Sequence, residues 1–245
     1  MEVVLCGLGL AVLSPLLIFI AILIRLSGPG PILFRQDRLG RYGEPFELLK
    51  FRSMVHRPAG GGPMVTVGGD RRVTPLGRVL RATKLDELPQ LWNVVRGDMS
   101  LVGPRPEVPT YAARYPQLFE LVLQQRPGIT DVCTLQLRNE EQVLAGQADP
   151  ETYYIERLLP RKLAASIREG WRRTPWRDLR VLVGTVMPGL AVLAPRPDFR
   201  PLASLHELTG AQLQAEAELV GRAVHASGYS EPTTVEEPVE VEIGA

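Results

Sequence analysis

The first hydrophobic segment of the chain covers residues 3–24 and contains no charged side chain. As a helix, a segment of this length can cross a bilayer core of about 30 Å. A signal peptide fits poorly, because Glu2 stands where such peptides carry basic residues and no small-residue cleavage pattern follows. The pattern therefore predicts a membrane helix.

Ser14 and Pro15 stand in the middle of this segment. A proline lacks the backbone N–H and kinks or breaks a helix, while the serine hydroxyl can donate to the freed carbonyl. Two arrangements stay open on these residues alone: a kinked spanning helix, or a helix-turn-helix that enters and leaves by one face of the bilayer. Four arginines follow closely, which predicts a cytoplasmic downstream end: Arg25, Arg35, Arg38 and Arg41.

Shorter patterns follow a stop rich in Gly and Pro. Residues 32–34 and 46–51 are typical of two strands in a hairpin that turns at residues 40–43. Residues 86–95 have the pattern of a short helix with its apolar side chains on one side. The sequence Gly-Pro-Arg-Pro at 103–106 predicts a rigid turn, because proline fixes its own φ and restricts the preceding residue.

Residues 153–183 have an amphipathic helical pattern, interrupted by Pro160 and Pro175, in which arginines surround two tryptophans. Basic residues mixed with Trp are typical of helices that lie in the lipid headgroup layer. Residues 181–194 are apolar but too short for a second span. We expect them to be interfacial or to pack on the first segment.

Charge and composition narrow the chemistry. The 28 basic and 27 acidic residues give a formal charge of +1, but residues 25–105 hold fourteen basic and seven acidic ones. A near-neutral total, with no interleaved aromatics in the basic half, argues against a nucleic-acid partner. Two cysteines and three scattered histidines exclude a disulfide framework and a Cys/His zinc site. Any catalysis must use carboxylates, hydroxyls and arginines.

Asp86 and Glu87 form the most informative pair. In structural terms, Asp86 could be a helix N-cap, or it could be the acidic partner of a capping box that starts at Thr83. The surroundings favour chemistry, because Arg81 precedes the pair by one turn and Arg105 follows in a rigid turn. A helix start with nearby arginines suits phosphate. Carboxylates within a phosphate site hold Mg²⁺ or attack phosphorus.

Six ordered motifs then give the chain a resemblance to a known family. They lie at Ser14-Pro15, 27–31 with 34–36, 50–54, 85–91, 98–106 and 126–130. In these motifs the chain resembles the bacterial sugar transferases, monotopic phosphoglycosyl transferases that move a sugar 1-phosphate from a UDP-sugar to polyprenyl (undecaprenyl) phosphate. The resemblance covers about residues 10–186, and it favours a re-entrant membrane helix broken at Ser14-Pro15.

The resemblance implies the roles of the acidic pair. Asp86 falls on the nucleophile of the family, which forms a covalent aspartyl-phosphosugar intermediate as UMP leaves, and Glu87 completes the dyad. Both carboxylates are also the expected ligands of a Mg²⁺ cofactor. The step suits a carboxylate, because phosphoryl transfer needs mainly positioning and charge neutralisation.

Three cations are the candidates for binding the substrate phosphates: Arg81, Arg105 and Lys50. The alternative for each is a surface salt bridge, and the acidic partners expected for such bridges are Asp98, Glu47 and Glu44.

The predicted fold is α+β, mainly α, in three parts. Residues 1–26 form the re-entrant membrane helix, residues 27–195 a small catalytic domain with interfacial amphipathic helices, and residues 196–245 an extension that is partly helical with a disordered acidic end. The expected location is the cytoplasmic face of the bacterial inner membrane. UDP-sugar, polyprenyl phosphate and membrane lipids are the expected partners, while the sugar, the pathway and a homodimer stay open.

Two departures from the family leave questions open. Members begin with a basic amphipathic stretch, whereas here the hydrophobic run follows Glu2 directly, so completeness of the N-terminus and the anchoring geometry stay open. Residues 131–139 differ from the usual family pattern, which leaves sugar preference open. A rival hypothesis is a catalytically silent membrane adaptor that recruits glycan enzymes through the C-terminal extension.

Overall fold

The hydrophobic segment forms one long helix, α1, Glu2–Leu26, in the computed structural model, which describes residues 2–56, 65–187, 191 and 194–200. Contrary to the expected helix-turn-helix, α1 continues through Pro15 and no turn separates two halves. Pro15 cannot donate to the Ala11 carbonyl, but the Ser14 hydroxyl donates to that oxygen at 2.7 Å. The predicted serine bond is therefore present, and it keeps the freed carbonyl satisfied.

Helix α1 has the apolar surface that a membrane helix needs. Its mean hydropathy is 2.7, and only 11% of its most apolar window is buried. The buried residues lie towards its two ends: Cys6 packs on one apolar cluster, and Ile20 and Ile24 pack on another. Buried Arg52 binds the C-terminal end of α1 and the loop that follows it. Its guanidinium donates to the carbonyl oxygens of Ile24, Gly28 and Pro29 at 2.8–2.9 Å.

The predicted hairpin is confirmed. Strands β1, Leu33–Leu39, and β2, Pro45–Phe51, pair antiparallel, with Leu33 opposite Phe51 and Leu39 opposite Pro45. The connection contains a 3₁₀ turn, Arg41–Gly43. Strand β1 is longer than its apolar start predicted, because its polar residues continue the pairing.

The remaining elements are mostly short helices, which agrees with a mainly α member of the α+β class. A second small sheet pairs two three-residue strands in parallel. In chain order, the elements are α2 (Pro75–Ala82), a 3₁₀ turn (Leu85–Glu87), α3 (Gln90–Arg96), β3 (Ser100–Val102), α4 (Pro109–Ala112), α5 (Pro116–Val122), β4 (Gly128–Thr130), α6 (Val132–Gln136), α7 (Glu140–Ala145), α8 (Pro150–Tyr153), a π-helical turn (Tyr154–Leu158), α9 (Leu159–Trp171) and α10 (Pro175–Val186).

Helix α9 belongs to the protein core. Leu159, Leu163 and Ile167 are buried, so the apolar face of the predicted pattern packs against protein. Pro160 does not interrupt the helix as expected, because it lies in the first turn of α9, directly after the π-helical turn. Pro175 does start a new helix, α10.

Helix α10 buries one side and exposes the other. Val181 packs with Ala194 against Val102, Val132 and Leu135, so the expected packing of this region on the first segment is wrong for these residues. The exposed large apolar side chains of α10 and the residue after it are Trp176, Leu179, Val186 and Met187.

All described residues belong to one compact unit, Met1–Pro201. Beyond residue 200, the predicted extension with its helical part and its disordered acidic end lies outside the described residues.

Candidate functional site

The acidic dyad lies on the 3₁₀ turn between α2 and α3. Lys84 precedes it in the left-handed conformation (φ 59°), and Asp86 and Glu87 are 6% and 9% exposed. Both structural alternatives for the pair are wrong. Asp86 caps neither this turn nor α3, and the Thr83 hydroxyl donates back to the Val79 carbonyl of α2.

Two cations meet on one oxygen of Glu87. Lys50 Nζ donates to Oε1 at 2.8 Å, and Arg105 Nη2 donates to the same atom at 3.1 Å. Burial alone would raise the pKa of Glu87, but the two cations outweigh it and hold that pKa well below its usual range. Glu87 in turn raises the pKa of Arg105. Glu87 is therefore a fixed anion that holds Lys50 and Arg105 together.

Asn93 fixes the position of Lys50 relative to the dyad. Asn93 is fully buried on α3, where Oδ1 accepts from the Leu49 N–H at 3.1 Å and Nδ2 donates to the Glu47 carbonyl at 2.8 Å. These bonds join α3 to the β2 backbone next to Lys50. Burial lowers the pKa of Lys50, and the charge of Glu87 opposes this shift.

The predicted rigid turn delivers Arg105. Gly103 and Gly128 approach so closely that a Cβ on Gly128 would lie 2.1 Å from the Gly103 nitrogen, so this crossing of the chain needs glycine. Arg38 braces the far side of the turn, since its Nη1 donates to the Pro106 carbonyl at 2.9 Å and lies 3.6 Å from a Glu107 carboxylate oxygen. The turn is therefore held on both sides of Arg105.

Asp86 has the opposite environment from Glu87. Its Oδ1 is buried and has no hydrogen-bond partner among the described residues. Burial raises the pKa of Asp86, the charge of Glu87 raises it further, and Lys50, Arg81 and Lys84 act against the rise. A carboxylate that is poorly solvated and unpaired is a more reactive nucleophile than one in a salt bridge.

Arg81 does not touch the dyad. It forms a salt bridge with Glu141 of α7 and influences Asp86 only through its charge. None of the three predicted cations pairs with the acids expected for surface salt bridges, because Lys50 and Arg105 pair with Glu87. Asp98 and Glu47 pair instead with Arg96 and Arg35.

Gln90 is the residue of this region to which the sequence patterns gave no role. It is 2% exposed, and its Nε2 has no hydrogen-bond partner within the described part of the chain. The buried residues of α3 are Gln90, Asn93 and Val94, whereas Trp92, one of the apolar residues of the predicted helix at 86–95, is 49% exposed. The sequence signal that could have indicated a role for Gln90 is its position, because it is a polar residue four positions after Asp86.

The dyad could serve as a metal site only together with a ligand. The described residues contain no group of three or more His, Cys, Asp or Glu side chains suited to a metal ion. Mg²⁺ commonly takes one or two carboxylates and completes its shell with substrate phosphates and water. Two adjacent carboxylates beside phosphate-binding cations are a donor set of that kind.

The sequence of the chain is similar to that of known proteins. A family model described as bacterial sugar transferase matches residues 1–168. The UDP-glucose:undecaprenyl-phosphate glucose-1-phosphate transferase of Caulobacter vibrioides is 42% identical over 197 residues, which cover 76% of this chain and 67% of the relative. The Escherichia coli K12 protein of the same name is 38% identical over 192 residues, covering 77% and 39%.

A relative named for a different sugar also matches. The UDP-N-acetylgalactosamine-undecaprenyl-phosphate N-acetylgalactosaminephosphotransferase of Aeromonas hydrophila is 39% identical over 133 residues, which cover 53% of this chain and 31% of the relative. The chain thus spans well under half of the length of the Escherichia and Aeromonas proteins. The family match nevertheless includes α1, the hairpin, the dyad and the Arg105 turn, and on this evidence the chain belongs to the bacterial sugar transferase family.

Proposed function

We propose that the chain transfers a sugar 1-phosphate from a UDP-sugar to polyprenyl phosphate, with Asp86 as the nucleophile and UMP as the first product. The observation that supports this most directly is the unequal dyad. Glu87 is neutralised by Lys50 and Arg105, whereas Asp86 keeps a buried oxygen unpaired among the described residues. The names of the relatives supply the substrate class.

The chemistry has two displacements at one phosphorus. A carboxylate oxygen of Asp86 forms a bond to the β-phosphorus, and the bond from that phosphorus to the bridging oxygen breaks, so UMP leaves with the electron pair. A phosphate oxygen of polyprenyl phosphate then attacks the same phosphorus. This step frees the Asp86 carboxylate and forms the polyprenyl diphosphate sugar, which is the ping-pong pattern of covalent catalysis.

Lys50, Glu87 and Arg105 together carry one net positive charge. This charge attracts the anionic diphosphate and stabilises the charge that develops on its oxygens. Arg81 adds a further positive charge at longer range. Asp86 and Glu87 would hold Mg²⁺, which when bound neutralises charge on the diphosphate and on the leaving UMP.

The proposed location is the cytoplasmic face of the bacterial inner membrane, with α1 as an anchor whose two ends both lie on that face. A straight helix of 25 residues is about 37 Å long, enough to put its two ends on opposite sides of a bilayer. Here both ends contact the same folded unit, because the Ser100 hydroxyl donates to Glu2 at 2.9 Å and Ile24 packs near Phe51. Ends that share one domain favour a same-side anchor over a spanning helix.

The exposed side of α10 provides a second membrane contact. Trp176 and Leu179 are exposed, and the Arg180 guanidinium lies 5.5 Å from the Trp176 ring centre. Indole and guanidinium groups are well suited to the headgroup layer. Membrane lipids are therefore proposed partners of α10 as well as of α1.

A UMP-release assay tests the proposal. Membrane fractions containing the full chain are incubated with polyprenyl phosphate, Mg²⁺ and a panel of UDP-sugars, since the relatives are named for more than one sugar. We expect Asp86→Asn to abolish UMP release and Asp37→Asn, at an exposed position of β1, to leave it unchanged.

The same assay separates the enzyme from the silent adaptor. Incubation with UDP-sugar alone should trap a phosphosugar on the wild-type protein and none on Asp86→Asn. UMP release that survives Asp86→Asn would contradict the assignment of the nucleophile. A folded wild-type protein that releases no UMP from any UDP-sugar would favour the adaptor.

A further inference from the structure

A buried network of polar side chains lies next to the Arg105 turn. Tyr154, the first residue of the π-helical turn, donates from its hydroxyl to Oε1 of Glu107 at 2.6 Å. Lys162 Nζ donates to the same hydroxyl at 3.2 Å and to Oε2 of Glu140 at 3.0 Å. Tyr154, Glu107 and Lys162 are all buried. Charges are costly to bury unless they are paired, and the reaction steps proposed above use none of these groups.

The network occupies both carboxylate oxygens of Glu107. Oε1 accepts from the Tyr154 hydroxyl, and Oε2 lies 3.6 Å from Nη1 of Arg38. Burial raises the pKa of Tyr154, and the negative charge of Glu107 raises it further. The hydroxyl therefore stays protonated and is the donor in its bond with the carboxylate.

Glu107 is a potential competitor for Arg105, because it follows the arginine by two residues. The charge of Glu87 raises the pKa of Arg105, and the charge of Glu107 adds to this shift. Arg105 nevertheless forms a salt bridge with Glu87 and with no other acid in the described part of the chain. A nearby carboxylate with a free oxygen would be a strong alternative partner for the guanidinium.

We infer that Tyr154 is a positioning residue for Arg105, acting through Glu107. This inference rests on the proposed function. Because Tyr154 and Arg38 engage its two oxygens, Glu107 does not pair with the neighbouring arginine. Arg105 then remains beside Glu87, where it is available to the substrate diphosphate. The π-helical turn that begins at Tyr154 supports a functional role, because such turns are rare and frequently lie at functional sites.

Loss of the Tyr154 hydroxyl should slow the reaction. In Tyr154→Phe the ring still fills its place, but Oε1 of Glu107 loses its donor and is free to pair with Arg105. A misplacement of about 1 Å caused by a distant mutation can cost about a hundredfold in rate, so a partial displacement of Arg105 should lower kcat/KM for UMP release by about tenfold. The assay uses membrane fractions containing the full chain.

Tyr115→Phe is the matched control. It also removes a tyrosine hydroxyl that binds the π-helical turn, because Tyr115 donates to the Ile155 carbonyl at 3.0 Å. Tyr115 has no contact with Glu107 among the hydrogen bonds of the described residues. This variant should therefore leave kcat/KM unchanged.

A double-mutant cycle with Glu107→Gln tests the route through Glu107. A neutral amide at this position does not compete for Arg105, so Tyr154→Phe should cause no further loss of kcat/KM in the Glu107→Gln background. Equal losses in both backgrounds would overturn the inference, because independent contributions add. An unchanged kcat/KM in Tyr154→Phe alone would overturn it as well. Glu107→Met replaces Glu107→Gln in the cycle if the latter does not fold.

Trapping of the phosphosugar separates positioning from folding. In a single turnover with UDP-sugar, the amplitude counts the folded sites, and the rate reports on the placement of Arg105. Tyr154→Phe should keep the amplitude and lower the rate. A loss of amplitude alone, or a variant that does not fold, would overturn the inference in favour of a structural hydrogen bond. A wild-type protein without UMP release would instead reject the proposed function, which keeps the two failures distinct.

Discussion

The two carboxylates of the dyad differ in what their charge does to stability. Glu87 is stabilised by Lys50 and Arg105, so its pKa lies below the usual range, while burial and the charge of Glu87 raise the pKa of Asp86. Ionised Glu87 therefore favours the folded state, and ionised Asp86 opposes it. Side chains that oppose folding in this way are typical of functional sites.

Neutral variants of the dyad should change stability in opposite directions. In metal-free buffer at pH 7.5, chosen to be well above the usual carboxyl pKa of about 4, we expect Asp86→Asn to raise the Tm. Glu87→Gln should lower it, because two partly buried cations lose their counterion, and breaking a fully buried pair costs about 3–5 kcal/mol. Thermal unfolding of the three proteins, followed by circular dichroism, measures both shifts.

The pH dependence gives the control. The penalty for ionised Asp86 exists above its raised folded-state pKa and disappears below its unfolded pKa of about 4, so the gain of Asp86→Asn should vanish as the pH falls. The contribution of Glu87 is present above about pH 4 and is lost as the pH falls through its depressed folded-state pKa. A Tm of Asp86→Asn below that of the wild type at neutral pH would contradict the assigned environment of Asp86.

The residues of the site could be named from motifs, but their partners could not. The sequence placed Asp86, Glu87 and Arg105 in one segment, and the resemblance assigned their roles. The contact of Lys50 with Glu87 joins residues 37 positions apart, and no local pattern encodes it. The sequence patterns assigned no role to Gln90, because only the folded structure shows that its side chain is buried and that its amide has no partner among the described residues.

At the scale of elements, local patterns identified the hairpin and the long helix but misjudged the effect of proline. Pro15 and Pro160 were both expected to interrupt helices. Instead the Ser14 hydroxyl bonds the Ala11 carbonyl, and Pro160 falls in a first turn, where its missing N–H costs little. Whether a proline ends a helix depends on what satisfies the freed carbonyl, which composition alone does not reveal.

The proposed same-side anchoring of α1 predicts that both of its ends face the cytoplasm. In separate variants, Glu2→Cys and Arg25→Cys place a thiol at each end. A membrane-impermeant maleimide should label both in inside-out vesicles and neither in intact spheroplasts. The two native cysteines are buried, and burial raises the pKa of Cys133 far above its usual value, so their background labelling should be low.

Labelling of Glu2→Cys only in spheroplasts would mean that α1 spans the membrane. Residue 2 would then lie on the opposite side of the bilayer from Ser100, which donates to Glu2 in the structure.

At the scale of the whole molecule, the family match and the folded unit end at different places. The match stops at residue 168, inside α9, whereas the compact unit continues to Pro201. The difference matters because α10 completes the core behind the Arg105 turn. Val181 and Ala194 pack on Val102 of β3, and the Thr185 hydroxyl lies 2.8 Å from that of Thr130 on β4.

We therefore expect a chain that ends at residue 201 to fold and to release UMP at a rate within about twofold of the full chain. A chain that ends at residue 168 should not fold, because it loses α10. Each large apolar side chain that loses its cover costs about 1.5–3 kcal/mol, and a domain has only about 5–15 kcal/mol in total. Val102, at the end of β3 before the Arg105 turn, and Val132 would lose their contacts with Val181 and Ala194.

Size-exclusion chromatography in detergent and the UMP assay measure the outcome. A folded but inactive 1–201 chain would mean that residues 202–245 contribute to catalysis, and an active 1–168 chain would mean that α10 is not needed to hold the Arg105 turn.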